Sequence, residues 1–265
     1  MRLARVCTQS IKTGVVMEGI QNKVVIITGA SSGIGEKTAR KLSAEGAITV
    51  LVARRKERID ALTQEINSSG GSAMAIVADI TDNEVCKSVI NQVKDRYGKI
   101  DVLVNNAGVM LIGQWNEASV EEWESMVKVN LLGLMYMTHA ALPEMNKNGT
   151  GHIVNVSSVS GRTTKPGSSA YNSTKWGVNA FTDAIRQELS QSKSGIRTTL
   201  IEPGAVETEL INHNRPEIRE RLSKNYVNMV RLQPEDIADA IAYAISRPAR
   251  VSINEMLIRP TEQVG

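Results

Sequence analysis

Only two cysteines, Cys7 and Cys86, occur among 265 residues. Neither sits in a CxxC pair or any metal-spaced group, and two thiols cannot build a disulfide framework. The simplest setting is a reducing cytoplasm. The three histidines, His139, His152 and His213, are scattered, so no metal site is legible. No apolar run approaches the roughly 18 residues that cross a bilayer, which excludes a membrane-spanning helix. Linkers, internal repeats and low-complexity tracts are missing too, which argues for one domain. The formal charge is +3, but Arg2, Arg5 and Lys12 supply all of it within an acid-free start. The rest of the chain is balanced, so the charge is no sign of a nucleic-acid surface.

Residues 1–21 read as an N-terminal extension, disordered or non-native, with Met17 as a second plausible start. The stretch lacks the apolar core of a secretory signal. From Lys23 onward, short apolar runs alternate with longer helical patterns. Strands are expected at Val24–Thr28, Ile48–Ala53, 72–78, 102–104, 153–157, 196–201 and Glu255–Ile258. Helices are expected at 34–45, 56–67, Asn83–Tyr97, 169–190 and Pro234–Ser246, with one long uninterrupted helix over 120–146. Val- and Ile-rich strands alternating with helices imply an α/β fold, a doubly wound parallel sheet with helices on both faces. The rhythm breaks over 205–233, a polar segment with a short helix near 216–229. It reads as a cover for a substrate.

The first strand runs into Thr28-Gly29-Ala30-Ser31-Ser32-Gly33-Ile34-Gly35. Glycines at such a turn permit a tight bend, close approach to a pyrophosphate and close helix–strand packing. The helix that follows directs free N–H groups and its positive dipole end at the phosphates. A lone glycine cluster is a weak signal, but this one lies after a strand and opens a helix, the context a dinucleotide site needs. The second strand ends in Arg54-Arg55, where dinucleotide folds often place an acid for the ribose 2′-OH. Guanidinium groups there suit a 2′-phosphate, which points to NADP(H). An exposed basic helix start is the plainer alternative, since Lys56 and Arg58 continue the charge.

Tyr171 and Lys175 lie four residues apart on an expected helix, hence on one face. A phenol is a poor base near neutrality, and a neighbouring ammonium favours its phenolate. Ser158 ends the preceding strand, thirteen residues before Tyr171. Its neighbour Ser157 is expected to face the core or backbone.

These motifs, in this order, resemble the short-chain dehydrogenase/reductase family over about residues 22–260. The resemblance implies a Rossmann-type single domain. Gly29, Ser31, Ser32, Gly33, Ile34, Gly35, Arg54 and Arg55 would bind the cofactor. Asp79 and Ile80, Asn106, Ala107 and Gly108, and Pro203, Gly204, Val206 and Thr208 would complete its site, with Tyr171 and Lys175. The catalytic set would be Asn130, Ser158, Tyr171 and Lys175. Tyr171 exchanges a proton, Lys175 tunes it and holds the nicotinamide ribose, and Ser158 binds the substrate oxygen. Asn130 supports a water-linked proton route to the lysine. The tail from Asn254 to Thr261 resembles the 3-hydroxy acid, serine-type branch. The long helices over 120–146 and 169–190 match those that pair subunits, implying a homotetramer or homodimer.

The resemblance implies a small carbonyl or alcohol substrate, whose identity the sequence does not reveal. Its expected walls are 109–111, 161–164 and the segment 205–230. Arg162 is a candidate anchor for a substrate carboxylate. Arg215, Arg219, Arg221 and Lys224 suit either an anionic substrate or a solvated helix face. Two other readings stand beside the enzyme. One is an NADP(H)-sensing regulator, which would not need Ser158, Tyr171 and Lys175 together. The other is a methyltransferase-like nucleotide fold, which Arg54-Arg55 and the Tyr171–Lys175 helix speak against.

Overall fold

The computed structural model describes residues 19–224 and 229–264. Seven parallel strands form one sheet in the order β3-β2-β1-β4-β5-β6-β7. They are β1 (Val24–Thr28), β2 (Ile48–Ala53), β3 (Ser72–Val77), β4 (Val102–Asn105), β5 (Gly151–Val156), β6 (Ile196–Pro203) and β7 (Glu255–Ile258). The order reverses between β1 and β4, where Val25, Ile26 and Ile27 pair with Val102, Leu103 and Val104. Crevices beyond the carboxyl ends of strands at such a switch point are where open α/β sheets bind ligands.

Both sheet faces are covered, so β1 is buried along its whole length. Successive side chains alternate between the two cores. Val25 and Ile27 pack with Leu42, Ile237 and Ile241 on one face. Val24 and Ile26 pack with Val89, Val93, Met137 and Met145 on the other. The first layer comes from α1 (Gly33–Ala44), α2 (Lys56–Ser68) and α8 (Pro234–Ser246). On the second face lie α3 (Asn83–Tyr97) and α5 (Leu134–Lys147). Local chemistry sets the ends of these helices. Asp82 caps α3 by accepting from the Glu84 and Val85 N–H groups, and left-handed Gly98 closes it.

The structure differs from the sequence-based expectation at several points. Ile20 was placed in the extension but is fully buried in the first core. Residues 19–21 therefore belong to the fold, and the remainder of the expected extension, with Cys7, lies outside the described residues. The expected single helix over 120–146 is α4 (Val120–Val127), a π-helical turn at Lys128–Gly133, then α5. Such one-turn insertions reset the face a helix presents and frequently mark functional sites. Finally, β6 runs past its expected end at 201 to Pro203, whose neighbour Gly204 donates to the Ile258 carbonyl.

The 205–233 segment is pinned at its base. Val206 and Leu232 form a β-bridge, with backbone bonds from Glu207 to Leu232 and from Leu232 to Ala205. Between them lie a 3-10 turn at Glu209–His213 and α7 (Pro216–Lys224). The described part of the expected helix near 216–229 is α7, and residues 225–228 lie outside the described residues.

Candidate active site

At the switch point, the ends of β1 and β4 are tied to each other. The Thr28 hydroxyl accepts from the backbone N–H groups of Asn106 and Ala107 at 3.0 and 3.1 Å. Asn106 Nδ2 returns a bond to the Thr28 carbonyl at 3.0 Å. The two loops are so close that glycine is required at two positions. Gly29 sits at φ +67°, and a Cβ there would lie 2.8 Å from Ala107 Cα. On Gly35 a Cβ would lie 2.5 Å from both Asn106 Nδ2 and the Gly29 carbonyl. Gly35 thus shapes the turn from behind and is not on the cleft wall. We expect Gly35→Ala to weaken dinucleotide binding at least about tenfold, through displacement of the turn. A fluorescence titration matching the parent would refute that role.

Ser32 precedes α1 with no side-chain hydrogen bond into the first turn. The early N–H groups of α1 thus face the cleft without a side-chain cap, unlike those of α3.

Arg55 reaches across this turn. Its Nε and Nη2 donate to Ser31 Oγ at 3.0 and 2.8 Å, and Nη2 to Ser32 Oγ at 2.6 Å. Its Nη1 meets Glu209 Oε2 at 2.9 Å. Arg54 is more exposed and stands 3.7 Å from Asp79. Asp79 accepts from the Thr81 N–H and hydroxyl at 3.0 and 2.9 Å. Partial burial pushes its carboxyl up, but the Thr81 bonds and Arg54 outweigh it, and the pKa is lowered.

At the other end of the cleft, α6 (Ser169–Gln191) carries Tyr171 and Lys175, both buried. Lys175 Nζ donates to the Val156 carbonyl at 3.0 Å and lies 5.7 Å from the Tyr171 ring centroid. Burial pulls its ammonium down to about 8. Ser158 Oγ accepts from the Ser160 N–H at 3.1 Å and lies 3.5 Å from the Pro203 carbonyl. Ser157 instead turns to α6, with its hydroxyl 2.6 Å from Asn179 Oδ1 and 3.3 Å from the Lys175 carbonyl. Asn172 Nδ2 ties the loop after Ser158 to α6 through the carbonyls of Ser160 and Thr163.

Asn130 lies in the π-helical turn and is buried. Its side chain accepts from the Val109 N–H and donates to the Val109 carbonyl, both at 2.8 Å, and to Thr174 Oγ1 at 3.2 Å. It thereby fixes the strand exit that follows Gly108. A Cβ on Gly108 would lie 3.3 Å from Asn130 Oδ1 and 3.9 Å from Lys175 Nζ. Asn130 and Lys175 thus approach one small residue from two sides.

A single cleft of about 300 Å³ gathers these groups. Every predicted cofactor or catalytic residue lines it except Gly35 and Asn130, which support it from behind. Glu209, Leu210 and His213 from the covering segment, and Val129 from the π turn, line it without any motif having marked them. Of the expected substrate walls, Val109 reaches the cleft, whereas Gly161 packs against Asn179. Asn214 Nδ2 donates to the Met110 carbonyl, and its Oδ1 accepts from the Ile112 N–H, so the covering segment is fastened to that wall.

Arg162 is not positioned as a substrate anchor. Its Nε donates to both oxygens of fully buried Glu202 at 2.8 Å, and Nη2 also reaches Glu255. Arg215 and Arg221 pair with Glu122 and Glu117. Among the described residues no group of His, Cys, Asp and Glu is arranged to hold a metal ion, and no helix is long and apolar enough to cross a membrane.

The family model described as short chain dehydrogenase matches residues 23–219. An uncharacterized oxidoreductase of Staphylococcus saprophyticus is 41% identical over 248 residues, covering 93% of this chain and 99% of that protein. Among solved structures, the closed form of serine dehydrogenase complexed with NADP+ superposes with a TM-score of 0.85 at 34% identity, covering 91% of this chain and 96% of that one. An alcohol dehydrogenase from the archaeon Thermococcus sibiricus, complexed with 5-hydroxy-NADP, gives 0.82 at 29%, covering 92% and 99%. A family match across the glycine turn, the switch point and the Tyr171–Lys175 helix, with relatives this similar over nearly the whole fold, makes the chain a member of the short-chain dehydrogenase/reductase family of oxidoreductases.

Proposed function

We propose that the chain uses NADP(H) to interconvert a small carbonyl compound and its alcohol, with Tyr171 as the general acid–base. The observation that carries this reading is convergence. Ser158, Tyr171 and Lys175 line the same cleft as the glycine turn and Arg54-Arg55. The residues present fit the cofactor. The glycine turn and the start of α1 would cradle its pyrophosphate, and Arg54 and Arg55 would face its 2′-phosphate. NADP-type ligands in the similar structures support the same choice.

When bound, the nicotinamide supplies the hydride-transfer chemistry. The protein does the rest. Ser158 Oγ hydrogen-bonds the substrate oxygen and stabilises charge that develops there. Tyr171 gives that oxygen a proton in reduction and takes it back in oxidation. The Lys175 ammonium favours the phenolate and so narrows the gap between the phenol and its working pH. Asn130 holds the Val109 backbone, and with it the wall beside Lys175.

The substrate panel follows from the comparisons and the tail resemblance: serine and other 3-hydroxy acids, 3-oxo acids, aldehydes and ketones, each assayed with NADPH or NADP+. Turnover of any member, followed optically, supports the enzyme reading. Tight NADPH binding with no turnover across the panel would move the chain to the sensing role.

The 2′-phosphate assignment has its own check. Arg54→Ala/Arg55→Ala is expected to weaken NADPH binding at least about tenfold while changing NADH binding little. Equal losses for both cofactors would sink it. Cytoplasmic placement and a homotetramer belong to the same proposal. Val127 and Trp176, on α4 and α6, are exposed at 38% and 49%, in keeping with subunit pairing. A monomer by light scattering would remove the assembly.

A further inference from the structure

Glu209 stands where the proposed 2′-phosphate needs donors. It opens the 3-10 turn of the covering segment, far in sequence from the second strand. Its Oε2 lies 2.9 Å from Arg55 Nη1, and both its oxygens lie 2.8–2.9 Å from Arg58 Nη1. Arg58 and Arg55 together hold its carboxyl down at about 2. Two guanidinium groups around one oxyanion form the same donor set that a phosphate monoester takes. Arg54 is engaged only loosely, with Asp79. The cation cluster at the end of β2 is therefore largely answered by an acid of the chain itself. A phosphate and the Glu209 carboxylate cannot both sit among these donors without strong like-charge repulsion.

We propose that Glu209 is a specificity-determining residue: its carboxylate occupies the Arg55 and Arg58 donors until a 2′-phosphate displaces it. The inference rests on the assignment of the 2′-phosphate to the arginines at the end of β2. It adds that part of the affinity for the phosphorylated cofactor is spent on displacing an internal anion. A site that is competent for only a fraction of the time shows an affinity reduced by that fraction. The displaced residue belongs to the segment that contributes Thr208 and Leu210 to the cleft. Arrival of the 2′-phosphate is thereby coupled to the cover over the site.

The test is calorimetric titration of the intact protein with adenosine 2′,5′-bisphosphate and with adenosine 5′-monophosphate, for the parent and Glu209→Gln. Glu209 is partly exposed, at 40% of its side chain, so the substitution is compatible with folding. The variant should bind the bisphosphate about tenfold more tightly and the monophosphate within about twofold of the parent. Amide hydrogen exchange over residues 206–213 should rise when the bisphosphate binds the parent, and be already raised in the variant. A parent that prefers the bisphosphate, with no gain in Glu209→Gln, overturns the role of Glu209 and leaves the arginine assignment standing. Indifference to the 2′-phosphate in both proteins overturns the arginine assignment and this proposal with it.

Discussion

Tyr171→Phe is expected to lower turnover with NADPH about a thousandfold, within the range a single general acid–base supplies, while cofactor affinity stays within about threefold. The substitution removes one hydroxyl from a buried ring on α6 and leaves the glycine turn and the arginine cluster untouched. It therefore separates chemistry from binding. The loss belongs in kcat, with the dissociation constant for NADPH from fluorescence titration nearly constant. A variant that keeps more than about a tenth of the parent rate would mean that another group moves the proton. The pH profile adds a second constraint. Burial brings the Lys175 ammonium down to about 8, so its support for the phenolate fades as pH rises through that value. Carbonyl reduction by the parent should fall above about pH 8, whereas the residual rate of Tyr171→Phe should lack that limb.

The frame of the site was legible because its parts are short, local and ordered along the chain. The strand–glycine–helix turn, the Asn106–Gly108 strand exit and the Tyr171–Lys175 spacing each reveal a geometry within a few residues. Both Ser157 and Ser158 border the cleft, and their hydroxyls differ in partners: that of Ser157 turns to Asn179 on α6, whereas that of Ser158 accepts from the Ser160 N–H. What stayed hidden depends on partners distant in sequence. Glu209 meets Arg55 across 154 positions, and no local pattern marks an acid in a polar loop as the counter-charge of a second strand. The π turn escaped because one extra residue barely disturbs an apolar periodicity read over a long helix, although it carries Asn130. Ile20 escaped because a single apolar residue has no period. The partner of Arg162 escaped for a related reason. The nearness of Arg162 to Ser158 along the chain was visible, but Glu202 lies forty residues away, on β6.

That arginine carries the largest stability effect. Arg162→Ala is expected to cost about 2–3 kcal/mol, toward the low end for a broken buried pair because Arg162 itself is 38% exposed. Glu202 is fully buried, and without the guanidinium it keeps, among the described residues, only the Asn179 amide at 2.7 Å as a side-chain partner. In a domain of this size the cost corresponds to a melting temperature lower by about 6–10 °C. The penalty arises from the stranded carboxylate and not from a lost attraction, so removing both charges should cost less than removing one. Arg162→Met/Glu202→Leu is therefore expected to melt above Arg162→Ala. A single variant that melts within about 2 °C of the parent would show that the pair stabilises nothing. The pair is also tied to the loop that follows Ser158. Asn179 links Glu202 to Ser157 and to the Gly161 carbonyl, and Arg162 follows directly in the chain. Loosening that chain of bonds should displace Ser158, so Arg162→Ala is expected to lower kcat at temperatures well below its melting point, with NADPH binding unchanged. A loss of stability without any loss of kcat would confine the ion pair to folding and leave the position of Ser158 to the Asn172 bonds alone.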